Sequence, residues 1–355
     1  LFSQMNLALV GYFGYNNFGD EAILQSIVSQ LRAYPRPLSL VLFAHKAASY
    51  QSSFHGTVLS RKSFPALIAG ISMVDIVVFA GGTLFQDRTS FRNLLYYLGL
   101  IVLARILGKK IILYSQGVEP FRYSLSKWLV KNALLFCHTI TVRDKESHAY
   151  LNELLGGKKR IQYTVDSAMM IAPYQTNNLY QNCIGINFMN IKQLPLDSIV
   201  SQLERFSEKY RRKFLYLPLS KEDGLIGREI KKRLPDSMMA IFEPSGHIST
   251  SLGVLKQMDM MVGCRLHSLI LSAAVGVPFL GIHYHDKVES FAKDVKQKYV
   301  PFSDLQTETF YSNLVEVFEN RTAYRNQLNA LVRDLKEQSR DNLINTILLK
   351  YDKNG

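Results

Sequence analysis

Two stretches in the second half of the chain hold the side chains best suited to chemistry. Residues 263–268 read Gly-Cys-Arg-Leu-His-Ser and residues 283–287 read His-Tyr-His-Asp-Lys, and each stretch follows an apolar run. Arg265 and Lys287 can bind an anion through charge-assisted hydrogen bonds. An imidazole such as that of His267 can exchange its proton near neutral pH. These residue types predict a site where a small anion is bound and a proton is moved.

Four loops in the first half are further candidates, because each follows an apolar run and carries glycine or charge. They span residues 11–21, 81–87, 116–120 and 142–144. Glycine allows a ligand to approach the backbone closely. Asp20 either hydrogen-bonds a sugar hydroxyl or caps the following helix, a contact of about 1 kcal/mol. Arg143 either clamps an anionic group or forms an ordinary surface pair with Asp144.

Other catalytic signatures are missing from the sequence. The chain contains no Walker A loop, no GxGxxG, no HExxH and no GxSxG motif. His283 with His285, or Cys264 with His267, would supply too few ligands for a structural zinc site. The spacing of the carboxylates does not single out a glycosidase pair. We therefore expect a site without a metal.

The composition is that of a globular enzyme with a basic surface. The chain has 355 residues, of which 47% are hydrophobic, enough for two α/β domains. A net charge of +13 favours anionic partners, but the basic residues are scattered in short groups, so we expect no nucleic acid. Three cysteines without paired spacing predict a reducing compartment, and we expect a cytoplasmic protein without a leader peptide. The most apolar stretch, residues 94–107, is too short to cross a bilayer.

Apolar runs alternate with helical patterns along the whole chain, which predicts parallel sheets joined by right-handed crossovers. The polar segment 173–182 is predicted to separate two halves. The expected fold class is α/β, with two doubly wound Rossmann-like domains that resemble the GT-B architecture and an active site in the cleft between them. The expected domains are 5–173, on the acceptor side, and 183–320, on the donor side, and a C-terminal helix follows over 321–352.

These motifs, in this order, resemble the polysaccharide pyruvyl transferase family, in particular the CsaB-type enzymes of bacterial cell walls. The resemblance covers nearly the whole chain up to the last helix. It is carried by residues 11–24, 81–87, 143–144, 263–268, 276–278 and 284–291. The chain departs from the family pattern at Ala80 and within residues 117–120, 166–168 and 187–190. These departures concern the identity of the sugar more than the type of reaction.

The resemblance implies an enzyme that moves the pyruvyl group of phosphoenolpyruvate (PEP) onto two hydroxyls of a sugar as a cyclic ketal and releases phosphate. It implies that PEP is bound by Arg143, Arg265 and Lys287, and that His267 and Asp20 are catalytic. The residues expected to bind the acceptor are Asn16, Asn17, Gly19, Gly82, Gln86 and Asp87. No cofactor or metal is expected, because phosphate is already a good leaving group and the cations neutralise it.

The resemblance also implies that the acceptor is a sugar of a cell-wall or surface polysaccharide precursor, either linked to a lipid diphosphate or free. The basic net charge suits peripheral contact with the anionic inner face of the plasma membrane. Two other functions stay open, because a fold does not fix a function. One is a GT-B glycosyltransferase that uses a nucleotide sugar, and the other is a non-catalytic carbohydrate-binding protein.

Overall fold

The computed structural model describes residues 5–34, 37–177, 179–243 and 248–343. These residues form two compact units. Unit 1 contains residues 5–170 and 335–343, and unit 2 contains residues 171–334. The C-terminal helix α12 (Arg321–Leu343) contributes its first part to unit 2 and the remainder to unit 1.

Unit 1 contains a seven-stranded sheet in which all neighbouring strands are parallel, in the order β3-β2-β1-β4-β5-β6-β7. The strands are β1 (Met5–Val10), β2 (Leu38–Ala44), β3 (Thr57–Ser60), β4 (Ile76–Ala80), β5 (Lys110–Gln116), β6 (Thr139–Val142) and β7 (Ile161–Tyr163). The helices are α1 (Phe18–Arg32), α2 (Phe64–Ser72), α3 (Phe91–Ile106), α4 (Ser124–Leu134) and α5 (Lys145–Leu155). Every residue of the central strand β4 is buried, as expected for a strand that is covered on both faces.

Unit 2 contains a six-stranded parallel sheet in the order β10-β9-β8-β11-β12-β13. The strands are β8 (Cys183–Asn187), β9 (Lys213–Tyr216), β10 (Met239–Ile241), β11 (Met260–Gly263), β12 (Phe279–His283) and β13 (Lys298–Pro301). The helices are α6 (Leu196–Tyr210), α7 (Lys221–Arg233), α8 (Ile248–Leu255), α9 (Leu266–Ala274), α10 (Asp286–Asp294) and α11 (Glu308–Glu319), followed by the first part of α12.

The predicted α/β class with two parallel sheets is confirmed, but two strands were missed. The edge strand β3 is half-buried and short, and β13 extends the second sheet beyond β12; neither was predicted from the sequence. Helix α1 begins at Phe18, because the side chain of Asn17 accepts hydrogen bonds from the backbone of Gly19 and Asp20 and caps the helix. None of the helices in the described part of the chain is long and apolar enough to traverse a bilayer.

The parallel order places the residues that follow each strand along one edge of each sheet, where ligands bind in folds of this type. In unit 1 these residues are Arg61, His45, Gly11, Gly81, Gly117 and Arg143, in the spatial order of their strands. In unit 2 the corresponding positions are taken by residues 217–223, Asn187, Arg265 and residues 284–287. The site residues predicted from the sequence therefore gather at one edge within each unit.

Candidate active site

A buried guanidinium follows β6 in unit 1. Arg143 donates from Nη1 to Asp166 Oδ2 at 2.6 Å and from Nη2 to Thr83 Oγ1 at 3.3 Å. Only 5% of the Arg143 side chain and 4% of the Asp166 side chain are exposed. The carboxylate of Asp144 lies farther away, at 3.8 Å from Nε, and its other oxygen caps helix α5. Arg143 is thus part of a buried polar centre, and an ordinary surface pair with Asp144 is excluded.

Gly117 lies directly against the guanidinium of Arg143. A Cβ atom at position 117 would stand 2.8 Å from Nε and 2.9 Å from Nη2 of Arg143. Any larger residue would push the guanidinium away from Asp166, so the close approach requires glycine at this position.

Asp20 lies in the first turn of α1, and it is only 9% exposed. Burial raises the pKa of Asp20 to about 7, against the opposing charge of Arg143 and with further increases from Glu21 and Asp166. A Cβ atom on Gly82 would lie 3.1 Å from Asp20 Oδ1, so the loop after β4 comes close to this carboxyl. Asn17 is the helix cap, and the carboxyl of Asp20 is left for another role. A group with a pKa near 7 suits proton transfer at neutral pH.

The neighbouring acid, Glu21, holds the loop that precedes α1. Its Oε1 accepts a hydrogen bond from the backbone of Gly14 at 3.0 Å, and the hydroxyl of Tyr50 donates to it at 2.6 Å. Burial raises the pKa of Glu21, and these two hydrogen bonds oppose the rise. Glu21 therefore fixes the conformation of residues 14–21.

Arg61 sits beside the same loop at the end of β3, and it was not predicted as a site residue because strand β3 was not predicted. It is 5% exposed, and no carboxylate in the described part of the chain pairs with it. Its guanidinium lies against the rings of Tyr12, Tyr15, Tyr96 and Tyr97, at 4.4–5.9 Å from their centroids. The chain compensates this buried charge through cation–π contacts and hydrogen bonds to Gly11, Asn93 and Tyr97.

The stack beside Arg61 continues to the end of β2. The rings of Tyr12 and Tyr15 are 4.1 Å apart, and the ring of His45 stacks on Tyr15 at 4.3 Å. Burial lowers the pKa of His45, and the charges of Lys62, Arg61 and Lys46 lower it further. A flat aromatic surface next to the loop 11–19 is the kind of surface on which sugar rings stack. A strand signal at residues 57–60 would have revealed Arg61 beside this surface.

The six residues expected to bind the acceptor all lie near this edge of unit 1. Gly19 and Gly82 are buried, Asn16 and Asn17 are exposed, and Asn17 caps α1. The side chain of Gln86 closes its own turn through hydrogen bonds with Arg88 and Thr89. The role of these residues in acceptor binding stays a prediction.

Asp87 has its carboxylate engaged by the chain itself. Its two oxygens accept hydrogen bonds from the backbone of Arg122 and Tyr123 at 2.9 and 3.0 Å. Burial by itself would raise the pKa of Asp87, but hydrogen bonds to the carboxylate, from Arg122 first, outweigh burial and lower it. Asp87 therefore stabilises the turn before α4 as a charged group.

In unit 2, Arg265 forms a forked ion pair with a residue that the sequence analysis did not single out. Its Nε and Nη2 donate to the two oxygens of Asp223 at 2.5 and 2.7 Å, and Nη2 also donates to Ser220 Oγ at 3.0 Å. Asp223 is fully buried, whereas 31% of the Arg265 side chain is exposed. The pair leaves Nη1 of Arg265 without a partner among the described residues, so that edge of the guanidinium can receive a ligand.

Asp223 is itself held by the ends of β8 and β9. Asn187 Nδ2 donates to Asp223 Oδ2 at 3.3 Å and to the carbonyl of Leu217 at 2.8 Å. The hydroxyl of Tyr216 lies within hydrogen-bond distance of the carbonyls of Phe188 and Asp223, at 2.7 and 2.9 Å, and its single proton is donated to one of them at a time. Such a network fixes the carboxylate, which in turn fixes the plane of the Arg265 guanidinium.

His267 and Lys287 lie near Arg265 in the fold, because β11 and β12 are neighbours in register at Gly263 and Gly281. His267 is the second residue of α9, and it is half-buried. Lys287 is the second residue of α10 and is also half-buried. His283, the last residue of β12, lies 3.4 Å from Asp286 and 3.3 Å from Glu289, so it contacts acids of the following helix α10. The structure thus brings Arg265, His267 and Lys287 to one edge of unit 2, and Arg143 lies in unit 1.

A metal site is not formed by the residues that the structure describes: no three His, Cys, Asp or Glu side chains are grouped for one. Cys137, Cys183 and Cys264 are free thiols. The metal ligands considered from the sequence, Cys264 with His267 and His283 with His285, therefore have no third ligand of these types among the described residues.

Comparison with known protein families shows to which family the chain belongs. The family model of polysaccharide pyruvyl transferases matches residues 17–286. This chain belongs to the polysaccharide pyruvyl transferase family. The match includes Asp20, Arg143, Asp223, Arg265 and His267, so both polar centres lie inside the matched region. No curated protein matches this transferase in sequence.

Solved structures show that the fold is of the GT-B type. The UDP-GlcNAc 2-epimerase from Neisseria meningitidis bound to UDP-GlcNAc is similar with a TM-score of 0.68 at 11% identity, over 98% of this chain and 100% of that one. The S. aureus MnaA–UDP structure is similar with a TM-score of 0.65 at 13% identity, over 98% of both chains. A UDP-glucosyltransferase from Polygonum tinctorium is similar with a TM-score of 0.61 at 11% identity, over 96% and 95%. At these identities the similarity to the transferase concerns the fold alone.

Proposed function

We propose that this pyruvyl transferase moves the pyruvyl group of PEP onto a sugar diol as a cyclic ketal and releases phosphate. The observation that carries the proposal is the forked pair of Arg265 with Asp223, followed two residues later by His267. A fixed guanidinium with one free edge beside an imidazole suits an anionic donor that has to be protonated. The acceptor is a sugar of a cell-wall or surface polysaccharide precursor.

PEP carries a carboxylate and a phosphate, and unit 2 offers a matching arrangement of cations. Arg265 presents Nη1, and Lys287 follows the neighbouring strand. The amino end of α9 adds the partial positive charge of the helix dipole. Each charge-assisted hydrogen bond contributes roughly 1.5–3 kcal/mol. Arg143, in unit 1, stays in the proposal as a further ligand of the donor.

The reaction requires one proton to be delivered and two to be removed. His267 gives a proton to the methylene carbon of PEP, which becomes a methyl group and makes the adjacent carbon electrophilic. One sugar hydroxyl adds to that carbon and loses its proton. A second hydroxyl then displaces phosphate, loses its proton to the phosphate or to a base, and closes the ketal. The protons and bonds balance without a metal or a redox partner, and phosphate is the leaving group.

Unit 1 is proposed to bind the acceptor. Asp20, whose pKa lies at about 7, acts as the base or positioner for a sugar hydroxyl. Six loop residues near Asp20 are proposed to bind the same acceptor: Asn16, Asn17, Gly19, Gly82, Gln86 and Asp87. The acceptor is either free or linked to a lipid diphosphate. We also propose that the protein is cytoplasmic and contacts the anionic inner face of the plasma membrane, because its net charge is +13.

The test is a phosphate-release assay with PEP and a panel of saccharide acceptors, followed by mass measurement of the product. We expect phosphate release that depends on the acceptor, and a product that has gained the mass of a pyruvyl ketal. Calorimetry with PEP and with nucleotide sugars separates the proposal from a glycosyltransferase. Binding of a nucleotide sugar with no binding of PEP would overturn the proposal. Binding of PEP without turnover on any acceptor would favour a non-catalytic protein.

A further inference from the structure

The exposed apolar side chains of this protein are concentrated in one part of unit 1. Among the described residues, 14 large hydrophobic side chains are exposed, and ten of them lie between positions 64 and 136. These ten are Phe64, Ile68, Met73, Leu95, Val102, Ile106, Tyr123, Leu125, Trp128 and Phe136. Scattered exposed hydrophobic residues need no explanation, but a concentration of this kind marks a binding surface.

Seven of these side chains belong to α2, α3 and α4, which lie on the same face of the sheet, and Met73, Tyr123 and Phe136 flank the ends of α2 and α4. The chain crosses the sheet in one direction from β3 to β4, β5, β6 and β7, through α2, α3, α4 and α5 in turn. Because such crossovers are right-handed, helices that connect strands in the same direction lie on the same face. Helix α1 connects β1 to β2 in the opposite direction and lies on the other face. We call the outer surface of α2, α3 and α4 the α2–α4 face.

Helix α3 shows most clearly that this face lacks a cover in the described chain. Its inner side buries Leu94, Leu98 and Ile101 against the core of unit 1. Its outer stripe consists of Leu95, Gly99, Val102 and Ile106, with 75% of Ile106 exposed. A helix that is apolar on all sides is normally buried in a protein core or in lipid. An outer stripe of this kind is therefore expected to have a binding partner.

The charges around the α2–α4 face indicate which partner it is. Helices α2, α3 and α4 contain no Asp or Glu, and they carry Arg92, Arg105, Lys127 and Lys131. Trp128, at 61% exposure, stands between the two lysines of α4. Exposed aliphatic side chains combined with lysine, arginine and an indole are typical of surfaces that lie in the headgroup region of an anionic bilayer. A second copy of the same face would instead oppose cation to cation.

We propose that the α2–α4 face docks this transferase onto an anionic lipid bilayer. The apolar side chains of α2, α3 and α4 enter the headgroup region, and the four basic residues pair with lipid phosphates. Phe64 and Leu125 lie in the first turns of α2 and α4, and Leu95 begins the second turn of α3, toward the sheet edge that carries the proposed acceptor loops. Docking of this face therefore places the acceptor loops close to the lipid, which fits an acceptor on a lipid diphosphate. This inference deepens the membrane part of the proposed function and rests on it.

Flotation of the full chain with vesicles tests the docking face without any turnover. We expect binding to vesicles of phosphatidylcholine with phosphatidylglycerol, weaker binding at high salt, and little binding to phosphatidylcholine alone. The triple variant Phe64→Ser, Ile106→Ser and Trp128→Ser removes exposed side chains and should weaken partitioning at least ~30-fold. The matched control is Leu179→Ser with Leu225→Ser, which removes exposed side chains of unit 2 and should leave partitioning unchanged.

The other outcomes contradict the inference. If the triple variant and the control bind vesicles equally, the α2–α4 face is not the docking surface. If no vesicle binds and the triple variant only dissolves an oligomer seen by sedimentation, the face joins copies of the chain. If neither occurs, the face serves another protein, and the lipid proposal is wrong. Phosphate release from PEP with a short lipid-free acceptor should be the same in the triple variant, so loss of docking and loss of transfer can be told apart.

Discussion

The guanidinium of Arg265 is held in plane by the carboxylate of Asp223, with Nε–Oδ2 and Nη2–Oδ1 distances of 2.5 and 2.7 Å. Asp223 is fully buried, and it is fixed in turn by Asn187 and the backbone of Leu219. The pair orients the one edge of Arg265 that has no protein partner among the described residues. Asp223 therefore positions a PEP ligand in the proposed reaction.

We predict that Asp223→Asn weakens PEP binding by roughly 10–100-fold, because the amide cannot accept both hydrogen bonds from Arg265. The measurement is the dissociation constant of PEP by calorimetry, with the free energy of unfolding from urea titration. The loss of stability should be ~1–2 kcal/mol, since Arg265 is partly exposed and can be rehydrated. Ser220→Ala removes one hydrogen bond to Arg265 together with the cap of α7, where Ser220 Oγ accepts from the backbone of Asp223, and it is the control for PEP affinity rather than for stability. Unchanged PEP affinity in Asp223→Asn would show that the fork has only a structural role.

The donor cations give a second prediction. Arg265→Ala and Lys287→Ala should each raise the PEP dissociation constant by at least ~10-fold, because each removes a charge-assisted hydrogen bond. Lys293→Ala is a suitable control, since this lysine lies on the same helix as Lys287 and pairs with Glu289 at 2.6 Å. The PEP dissociation constant of Lys293→Ala should stay within about twofold of that of the unmodified chain. Equal affinities in all three variants would remove these cations from the donor site.

Much of the donor side could be predicted from the sequence, because its residues follow apolar strands and the parallel order collects strand ends at one edge. Asp223 could not be predicted in the same way. It lies 42 residues from Arg265 in the chain, in the first turn of α7, so only the packing of β8, β9 and β11 brings it to the guanidinium. Arg61 was missed because β3 is a short, half-buried edge strand with a weak apolar pattern.

The contact between Gly117 and Arg143 gives a third prediction. In Gly117→Ala the new Cβ would lie 2.8 Å from Nε of Arg143, so the guanidinium has to leave Asp166 and Thr83. We expect a stability loss of ~1–3 kcal/mol and at least ~10-fold lower turnover. Gly99→Ala is the matched control, because a Cβ there meets nothing within 4 Å and the residue lies inside helix α3. The free energy of unfolding of Gly99→Ala should rise by ~0.5–1 kcal/mol. Similar losses of stability in both variants would contradict the steric argument.

The raised pKa of Asp20 gives a fourth prediction, on the pH dependence of stability. In the fold the pKa is about 7, above the ordinary value of 3.8, so folding favours the protonated form. The contribution of Asp20 to stability is therefore fully present below pH ~4 and is lost as the pH rises through ~7. The rise in the pKa of Asp20 corresponds to a contribution of about 4 kcal/mol at most to the free energy of unfolding.

Asp20→Asn removes this dependence, and the free energy of unfolding of the variant should exceed that of the unmodified chain more at pH 8 than at pH 5. Urea titration at both pH values measures the difference. Asp87→Asn is the control, because the pKa of Asp87 is lowered, so its effect on stability should not change between those values. If Asp20 is also the base for a sugar hydroxyl, Asp20→Asn lowers turnover by ~10²–10⁴. A variant that gains stability at pH 8 and keeps full turnover would leave Asp20 a buried acid without a catalytic role.

The last prediction concerns His267, the proposed proton donor at the start of α9. Its neighbour Arg265 remains fixed by Asp223 whatever stands at position 267, so binding and chemistry can be separated in one variant. His267→Gln should lower turnover by ~10²–10⁴ and change the PEP dissociation constant by less than about threefold. The variant should also lose the limb of the pH–rate profile that reports protonation of the acid, a change that a merely structural role would not produce. His285→Gln, at an exposed position before α10, is the control and should keep both the rate and the profile. Near-normal turnover in His267→Gln would mean that another group delivers the proton to the methylene carbon of PEP.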